Sequence, residues 1–280
     1  MSISVLNNIP SLMAQNEVDL TNTSLQKTLF QLSSGSRINT GADDAAGLAI
    51  ADGLNANIAA LNQSVQNVND GIGQLQVADG ALSQVTSLLN RAVTLATESA
   101  NGSLSSSQRT AIDAEFTSIK SEIDSIGSST TFNGASVFTA TASSIFLSDG
   151  SAAAANVTIA TTTGVLSSSS MGSGTPVSLA SDNLTSSSSA TTALTDIESA
   201  IAAVASLRGT IGANMNRLSA ATNVVNTQVQ NLTTAVDGIT AANIPQVVSD
   251  MSKYQILTQT GMAALAQANQ SQQSVLKLLQ

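Results

Sequence analysis

A long stretch with apolar residues at alternating steps of three and four is the strongest constraint that this sequence places on its fold. From residue 58 to residue 96 the pattern is interrupted only at Asp79 and Thr86. A second stretch, from residue 194 to residue 236, has the same spacing and is interrupted at Arg208 and Thr222. Heptad patterns of this length are typical of long helices that pack along one stripe. The sequence therefore predicts two long helices that pair with each other.

The residues of the two stripes, and the ends of the first long helix, can be assigned from the pattern. Thr40 and Asp43 have the spacing of a capping box, and Asp43 and Asp44 suit a first turn, so the helix is predicted to begin near Asp43. Asn101-Gly102 is typical of its end. The predicted stripes are Ile58, Leu61, Val65, Val68, Ile72, Leu75, Leu82, Leu89, Val93 and Ala96, and Leu194, Ile197, Ile201, Val204, Ile211, Met215, Leu218, Val225, Val229, Leu232 and Val236.

Shorter amphipathic patterns separate and flank the two long ones. Ser105 and Gln108 have capping-box spacing before a helix that Gly127 is predicted to end. Weaker patterns at both ends of the chain predict two terminal helices, and Pro245 marks either a break or the start of a new helix. The apolar face of the middle helix consists of Ile112, Phe116, Ile119, Ile123 and Ile126.

Between residues 128 and 190 the composition changes to Ser, Thr, Ala and Gly. Two short segments, 144–147 and 156–159, are rich in β-prone residues, and Phe132-Asn133-Gly134 is a hairpin-turn signal. The serine runs at 167–170 and 186–189 are typical of flexible loops. We expect a small β-rich insertion with flexible parts.

The order of element types is nearly the same when read from either end of the chain. The terminal helices can pair with each other, and the long helices likewise, only if the chain folds back on itself. The predicted fold is mainly α: a long antiparallel helical bundle or coiled coil with paired terminal helices and a small β-rich or irregular outer insertion. The expected parts are an inner terminal-helix domain of residues 1–42 and 238–280, a bundle domain of residues 43–138 and 190–237, and a short variable surface insertion of residues 139–189.

Composition excludes several functions. The chain has no His and no Cys, which argues against transition-metal sites and against nucleophiles activated by histidine. Its net charge of −9 argues against a nucleic-acid partner. No stretch approaches 18 consecutive apolar residues, so no membrane insertion is expected, and the first residues lack the basic region of a cleaved secretory signal. We expect no enzymatic activity and no cofactor.

Two patterns that suggest a ligand site have a simpler structural explanation. Asp43 and Asp44 are adjacent, so on a helix they would point about 100° apart and would not share one substrate. The segment Gly71-Ile72-Gly73 lies within a helical pattern with no preceding strand, unlike a dinucleotide-binding turn. An anion site near Arg37 is disfavoured, because the two aspartates would repel the anion.

Residues at both ends of the chain resemble bacterial flagellin, the subunit of the flagellar filament. The segment LSSGSRINTGADDAAGLAIADGL, residues 32–54, is similar to the N-terminal signature of the family, and residues 251–279 are similar to its C-terminal signature. TTFNG, residues 130–134, resembles the turn after the second helix of the family. The similar regions cover residues 1–138 and 190–280. The resemblance implies a structural protein that self-assembles into the extracellular helical filament used for motility.

The resemblance also implies partners. Flagellins are exported unfolded by the flagellar type III apparatus, and the implied partners are further copies of the chain, the hook-associated junction and cap proteins, an export chaperone and the export gate. The chain departs from the family pattern at Asp237–Asn243, which reads DGITAAN where a charged stretch is usual. Salt bridges are therefore expected to be absent from the C-terminal joint.

The segment between the first two helices is predicted to be a joint, at which Gly35 and Gly41 allow the chain to bend and Arg37 bonds to carbonyls or carboxylates of a neighbouring element. The predicted joint residues are Gly35, Arg37, Asn39, Gly41, Asp43 and Asp44. The residues expected to pack in the filament core are Leu6, Ile9, Met13, Leu20, Met251, Tyr254, Leu257, Leu265, Val275, Leu276 and Leu279.

The resemblance further implies a patch recognised by Toll-like receptor 5, for which Arg91 and Leu95 match the family pattern. Val93 and Thr94 replace two charged residues of that pattern, so recognition is expected to be weakened. The alternatives to a flagellin are the hook–filament junction protein, which has related ends, and a non-flagellar coiled-coil surface protein.

Overall fold

The structure, a computed structural model, describes residues 8–148, 157–172 and 177–278. The helices are α1 (Ile9–Ser34), α2 (Ala45–Ala100), α3 (Ser106–Ser129), α4 (Ser187–Thr240) and α5 (Ile244–Leu278). The strands are β1 (Thr131–Phe132), β2 (Ala135–Ser136), β3 (Ser143–Leu147), β4 (Val157–Thr161), β5 (Val165–Ser167) and β6 (Ser170–Gly172). The predicted fold class, mainly helical with small β elements, is confirmed.

The chain forms two compact units. The terminal unit comprises Met1–Ala56 and Asn231–Gln280, and the bundle unit comprises Asn57–Gln230. Helices α2 and α4 contribute residues to both units. The β-rich segment that follows α3 lies in the bundle unit with the helices. The three-part division expected from the sequence stays a prediction.

In the bundle unit, α2 and α4 run antiparallel along two heptad columns. One buried column of each helix carries large apolar residues, as predicted. The second buried column lies one residue earlier than the sequence pattern predicted. In α2 this column is Ser64, Gly71, Ala78, Val85, Ala92 and Ser99, and in α4 it is Ala193, Ala200, Leu207 and Asn214. The α2 column consists mainly of small residues, whereas the α4 column combines two alanines with Leu207 and Asn214.

The residues predicted for the second column instead lie half-buried beside it. This position explains the polar residues that interrupt the two patterns. Asp79 and Arg208 lie on facing flanks, where Arg208 Nε donates to Asp79 Oδ1 at 2.8 Å and Nη2 to Oδ2 at 3.3 Å. A forked pair of this kind has a defined geometry, so it favours one register of α2 against α4.

Helix α3 begins as predicted and ends later than predicted. Ser105 and Gln108 form a capping box, and Phe116, Ile119 and Ile123 are buried. Gly127 does not end the helix, which continues to Ser129. It is buried where strand β5 crosses α3: a Cβ atom at Gly127 would lie 1.8 Å from the carbonyl oxygen of Leu166.

Three antiparallel two-stranded ladders follow α3: β1–β2, β3–β4 and β5–β6. Asn133 and Gly134 join β1 to β2 with φ angles of 50° and 78°, the left-handed conformation that the turn signal predicts. The β3–β4 ladder contains residues 144–147 and 157–159 of the two predicted β-prone segments, with Ile145 opposite Ile159, and residue 156 lies outside the described residues.

The serine runs lie in a hairpin turn and at the start of a helix, and the flexibility expected of them stays a prediction. Residues 167–170 form the β5–β6 turn, in which Ser168 N and Oγ donate to Asp124 at 2.6 and 2.8 Å. Ser186 caps α4, since its Oγ accepts from Ser189 N at 3.1 Å. Each run supplies hydroxyls that satisfy polar groups of the fold rather than solvent.

The β-rich segment covers the helices instead of standing away from them. Ile145 packs at Gly71, where a Cβ atom would lie 2.1 Å from its Cδ1. Two side chains of α3 bind the segment that leads into α4. Lys120 Nζ donates to Asp182 O at 2.7 Å, and Asp113 Oδ1 accepts from Leu184 N at 2.7 Å. The side chains that this segment buries are Ile145, Leu147, Ile159, Leu166, Met171, Leu179 and Leu184.

Replacement of Gly127 by alanine is expected to destabilise the bundle unit. The added methyl group has no room against the Leu166 carbonyl, and overpacking of this kind costs about 1–3 kcal/mol. The matched control is Gly80→Ala in α2, where no atom lies within 4 Å and the change should stabilise the helix by about 0.5–1 kcal/mol. Urea unfolding monitored by circular dichroism measures both. Equal stability of the two variants would contradict the packing of β5 on α3.

Candidate functional site

The candidate site is the terminal unit, where the joint segment (residues 35–44) follows α1 and leads into α2. Gly35 ends α1 in the left-handed conformation, with φ 70° and ψ 2°. A side chain is disfavoured at this φ, so glycine allows the sharp exit that α1 makes. Gly41 lies in a turn that precedes α2, but its φ is not positive. Of the two glycines expected to bend the chain, only Gly35 uses a conformation special to glycine.

The joint segment pairs with the chain between α4 and α5. Ser36 and Ala241 form an antiparallel bridge, in which Arg37 N donates to Thr240 O at 2.6 Å and Ala242 N donates to Gly35 O at 3.0 Å. Ser36 Oγ adds a hydrogen bond to Thr240 O at 3.0 Å. These bonds form the joint bridge, which connects the two ends of the chain through their main chains.

Arg37 completes the joint bridge at the carboxyl end of α4. Its Nη2 donates to Ile239 O at 2.8 Å. The last carbonyls of a helix lack partners in their own helix and carry the negative end of its dipole, so a guanidinium stabilises them. Residues 237–243 form no ion pair with any residue that the structure describes. The cation therefore interacts with main-chain oxygens and not with an acidic side chain.

Asp43 organises the other half of the joint segment. Its Oδ2 accepts from Asn39 N and Thr40 N, both at 3.1 Å, and its Oδ1 lies 2.7 Å from Lys27 Nζ of α1. The ammonium group of Lys27, followed by the two amides, lowers the pKa of Asp43 from 3.8 to about 2. The carboxylate thus connects α1 to the loop that precedes α2.

The acidic pair precedes α2 and does not lie in its first turn. Helix α2 begins at Ala45, and the Asp44 carboxylate accepts from Gly47 N at 2.8 Å, as an N-cap residue does. Thr40 and Asp43 do bond to each other, but they close a turn instead of a capping box, since Asp43 N donates to Thr40 O at 3.0 Å. Asn39 Nδ2 donates to Ser36 O at 3.1 Å inside the same loop.

Three residues of this site are missing from the sequence-based set. Lys27 pairs with Asp43, Gln31 Nε2 donates to Arg37 O at 2.9 Å, and Thr240 O accepts two bonds of the joint bridge. Lys27 and Gln31 are four residues apart and therefore lie on one side of α1. Their spacing could have revealed them, whereas Thr240 contributes only a carbonyl and leaves no signal in the sequence.

Helices α1 and α5 pair antiparallel, and the faces that meet carry many small or polar residues. Asn8 Nδ2 donates to Ala268 O at 3.3 Å, and a Cβ atom at Gly261 would lie 2.7 Å from Val18. Of the residues predicted to pack in the filament core, Met251, Tyr254 and Leu265 are half-buried. Small or polar residues such as Thr28, Thr258 and Gly261 share this contact face.

The larger apolar residues of both helices point to solvent. Ile9 is 56% exposed, Met13 64%, Leu20 63% and Leu257 43%. Seven further large apolar residues of the two helices are also exposed: Leu12, Leu29, Phe30, Ile244, Val248, Ile256 and Met262. Leu6 and Leu279 lie outside the described residues, and only the backbone is described for Val275 and Leu276.

The two residues of the predicted receptor patch have different environments. Arg91 Nε and Glu115 Oε1 are 2.7 Å apart on the surface of α2 and α3. Leu95 is 1% exposed and belongs to the core of the bundle unit. The prediction of Leu95 as a surface contact is therefore wrong for this structure, because its position on α2 faces the buried column.

Two further kinds of site were searched for. Within residues 8–148, 157–172 and 177–278, no cluster of three or more Asp or Glu side chains has the arrangement of a metal site. None of the helices over the same ranges has the length and hydropathy of a membrane span.

Comparisons with known proteins link this architecture to one family. Residues 5–143 match the family model for the bacterial flagellin N-terminal helical region, and residues 194–279 match the model for its C-terminal helical region. Flagellin FlaB2 of Treponema pallidum is 33% identical over 284 positions, which cover 97% of this chain and 98% of that protein.

Two other relatives match a smaller part of this chain. A flagellin of Salmonella rubislaw is 49% identical over 87 residues, or 31% of this chain, and the match spans 17% of the length of that relative. The crystal structure of Bacillus cereus flagellin has a TM-score of 0.47 and 27% identity, and the match covers 61% of this chain and 94% of that chain.

The low pKa of Asp43 makes the joint segment sensitive to acid. A group whose pKa is lower in the folded state stabilises that state above its unfolded pKa, and this contribution is lost as the pH falls through the folded value. The contribution of Asp43 should be complete above pH about 4 and lost as the pH falls to about 2, given its pKa of about 2. Amide exchange at Asn39 and Thr40 reports it. Asp43→Asn should lack this pH dependence, and an unchanged dependence would contradict the assignment.

Removal of the Arg37 guanidinium should weaken the joint bridge. Arg37→Met retains the apolar stem but leaves the Ile239 carbonyl without its cation, which should cost about 0.3–1 kcal/mol. Arg37→Lys retains the charge and should lose less. Exchange rates of the Arg37 and Ala242 amides, which both belong to the bridge, measure the loss. Wild-type rates in Arg37→Met would show that the side chain does not support the bridge.

Proposed function

The chain belongs to the bacterial flagellin family, and we propose that it is a structural subunit that polymerises into the flagellar filament used for swimming. The observation that carries this proposal is the exposed apolar face of α1, formed by Ile9, Leu12, Met13, Leu20 and Phe30. Soluble proteins rarely leave such a stripe uncovered unless a partner binds there. Further copies of the chain are the partner.

The geometry of α1 supports association between copies. Leu20 and Leu25 are about 140° apart around the helix. Leu25 lies on the half-buried side that contacts α5, whereas Leu20 lies on the exposed side. The helix therefore has one face for its own chain and another for its neighbours. Each large apolar side chain that a neighbour covers contributes about 1.5–3 kcal/mol.

Charge also favours the terminal unit as the assembly surface. Helix α1 carries only Glu17, Asp19 and Lys27, and α5 carries only Asp250, Lys253 and Lys277. Because these helices are nearly neutral, many copies can pack them together without strong repulsion. The exposed apolar face is not used by the contact with α5 and is therefore available to other copies, and a contact between unlike surfaces of two copies that does not close into a ring generates a helical filament.

Export and partners follow from this function. We infer that the chain leaves the cell unfolded through the flagellar type III apparatus, with an export chaperone and the export gate as partners, and that the hook-associated junction and cap proteins border the filament. Both matching family models are those of flagellin, which favours the filament subunit over the junction protein. Recognition by Toll-like receptor 5 through Leu95 is not part of the proposal, since that residue is buried.

A charge on the exposed face of α1 should prevent polymerisation. Leu20→Asp would place an unpaired carboxylate in a contact that excludes water. A loss of more than about 1.4 kcal/mol per contact raises the critical concentration for assembly more than tenfold. Sedimentation after seeding measures this concentration, and circular dichroism of the monomer should match that of the wild type.

Gln26→Asp is the matched control for this substitution. Gln26 is exposed on the same helix, about 120° from Leu20 and at the edge of the apolar face, so the same charge there should impair assembly much less than Leu20→Asp does. Filaments of Leu20→Asp that form at the wild-type concentration would refute the role of this face. Equal loss in both variants would show that the charge of α1, and not its apolar face, controls assembly.

A further inference from the structure

A polar groove lies between α1 and α5, beside the joint segment. It has a volume of about 260 Å³ and is lined by Ser24, Lys27, Thr28, Gln31, Asp250 and Tyr254. Most of the surrounding helix surface is uncharged, so one lysine and one aspartate in the same groove are conspicuous. Neither residue belongs to the predicted joint or to the predicted filament-core set.

The α1 wall of the groove is made of the residues that hold the joint segment. Lys27 lines the groove with its stem and pairs with Asp43 at 2.7 Å through its ammonium group. Gln31 lines the groove as well and donates to Arg37 O at 2.9 Å. A change in the groove that moves these two side chains would therefore alter their contacts with the joint segment.

Asp250 stands across the groove at the level of Lys27. The antiparallel register that places Asn8 beside Asn269 and Val18 against Gly261 places residue 27 opposite residue 250. Asp250 is half-buried, and it accepts a hydrogen bond from the neutral Gln246 Nε2 at 3.2 Å. It forms no ion pair with any residue that the structure describes.

Lys27 thus pairs with one carboxylate and shares a groove with a second. The lysine stem has four rotatable bonds, and 55% of the side chain is exposed, so more than half of it faces solvent and not packed neighbours. In its present position Lys27 leaves Asp250 without a cation. In the other position it would leave Asp43 with the amides of Asn39 and Thr40 alone.

We propose that Lys27 is a two-position switch between the joint segment and the α1–α5 pair. When it binds Asp43, the loop before α2 is tied to α1. When it binds Asp250, the two terminal helices are tied to each other and the loop is released. The inference rests on the proposed function, since neighbouring copies packed around α1 and α5 would bias the position, and a ligand shifts such an equilibrium by its preference for one state.

The test is a distance measurement in assembled protein. Full-length protein labelled with ¹⁵N at lysine Nζ and ¹³C at aspartate Cγ is assembled, and dipolar dephasing in solid-state NMR identifies the carboxylate nearest to Lys27. In Asp43→Asn, the switch predicts that Lys27 Nζ moves to within about 4 Å of Asp250 Cγ, the distance of an ion pair. If Asp250 shows no contact with Lys27 in this variant, the switch is refuted.

Two controls make the result specific. Lys253 lies three residues from Asp250 on α5, so Asp43→Asn is compared with the double variant Asp43→Asn, Lys27→Met, in which the contact must disappear. Asp250→Asn removes the second position, and it should raise the fraction of Lys27 that is dephased by Asp43. An unchanged fraction would mean that Lys27 never leaves Asp43.

Failure of the switch and failure of the proposed function give different results. Wild-type protein that does not assemble would remove the proposed function, and the inference with it. Assembly without a Lys27–Asp250 contact in Asp43→Asn removes the switch alone. If Asp43→Asn assembles poorly by itself, labelled variant is diluted about tenfold into unlabelled wild-type protein, and Asp250→Asn supplies the independent answer.

Discussion

The packing of α2 against α4 along two buried heptad columns is the constraint on which the bundle unit depends. In each helix one column carries large apolar residues, such as Leu75 in α2 and Ile211 in α4, and they are fully or almost fully buried. In α2 the other column consists mainly of small residues, among them Gly71 and Ala78. The pair of Asp79 and Arg208 lies on the flank of this contact. At Gly71, the absence of a side chain leaves room for Ile145 of the β-rich segment.

The terminal unit depends less on apolar burial within the chain and more on polar contacts. Its helices are joined by Thr28, Thr258, Gly261 and half-buried residues such as Leu25, while many of the larger apolar side chains, Leu20 among them, face outwards. Apolar burial within the chain is therefore modest, and polar contacts at the joint define the geometry. The joint bridge, Asp43 and Arg37 supply directional bonds where the hydrophobic effect supplies little. This division leaves the strongest apolar surface available for contacts between copies.

Much of the fold follows from the sequence, because heptad spacing and caps depend on local chemistry. The long helices, the Ser105–Gln108 capping box and the Asn133-Gly134 turn are where the pattern predicts them. The second column of each long helix was misplaced by one residue, because Val65 and Ile201 are more apolar than Ser64 and Ala200. Hydrophobicity alone cannot show which of two neighbouring positions faces the partner helix. Gly127 was misread for a related reason, since its partner is a main-chain oxygen far along the sequence.

The joint was predictable in part. Gly35 and Arg37 have visible signals: a glycine after a helix, and a lone cation beside it. Their partners do not, because Ile239 and Thr240 contribute carbonyl groups that every residue has. Lys27 was overlooked because its partner Asp43 lies in a loop whose path the sequence does not specify.

Recognition through main-chain oxygens has a consequence for substitution. The segment from Ile239 to Ala242 presents two carbonyls and one amide to the joint segment, so its side chains can change without loss of the bridge. Proline at position 242 is an exception, because it would remove the amide that donates to Gly35 O. The bridge is thus encoded in the path of the backbone, and a segment whose side chains are nearly all uncharged can still bind a cation.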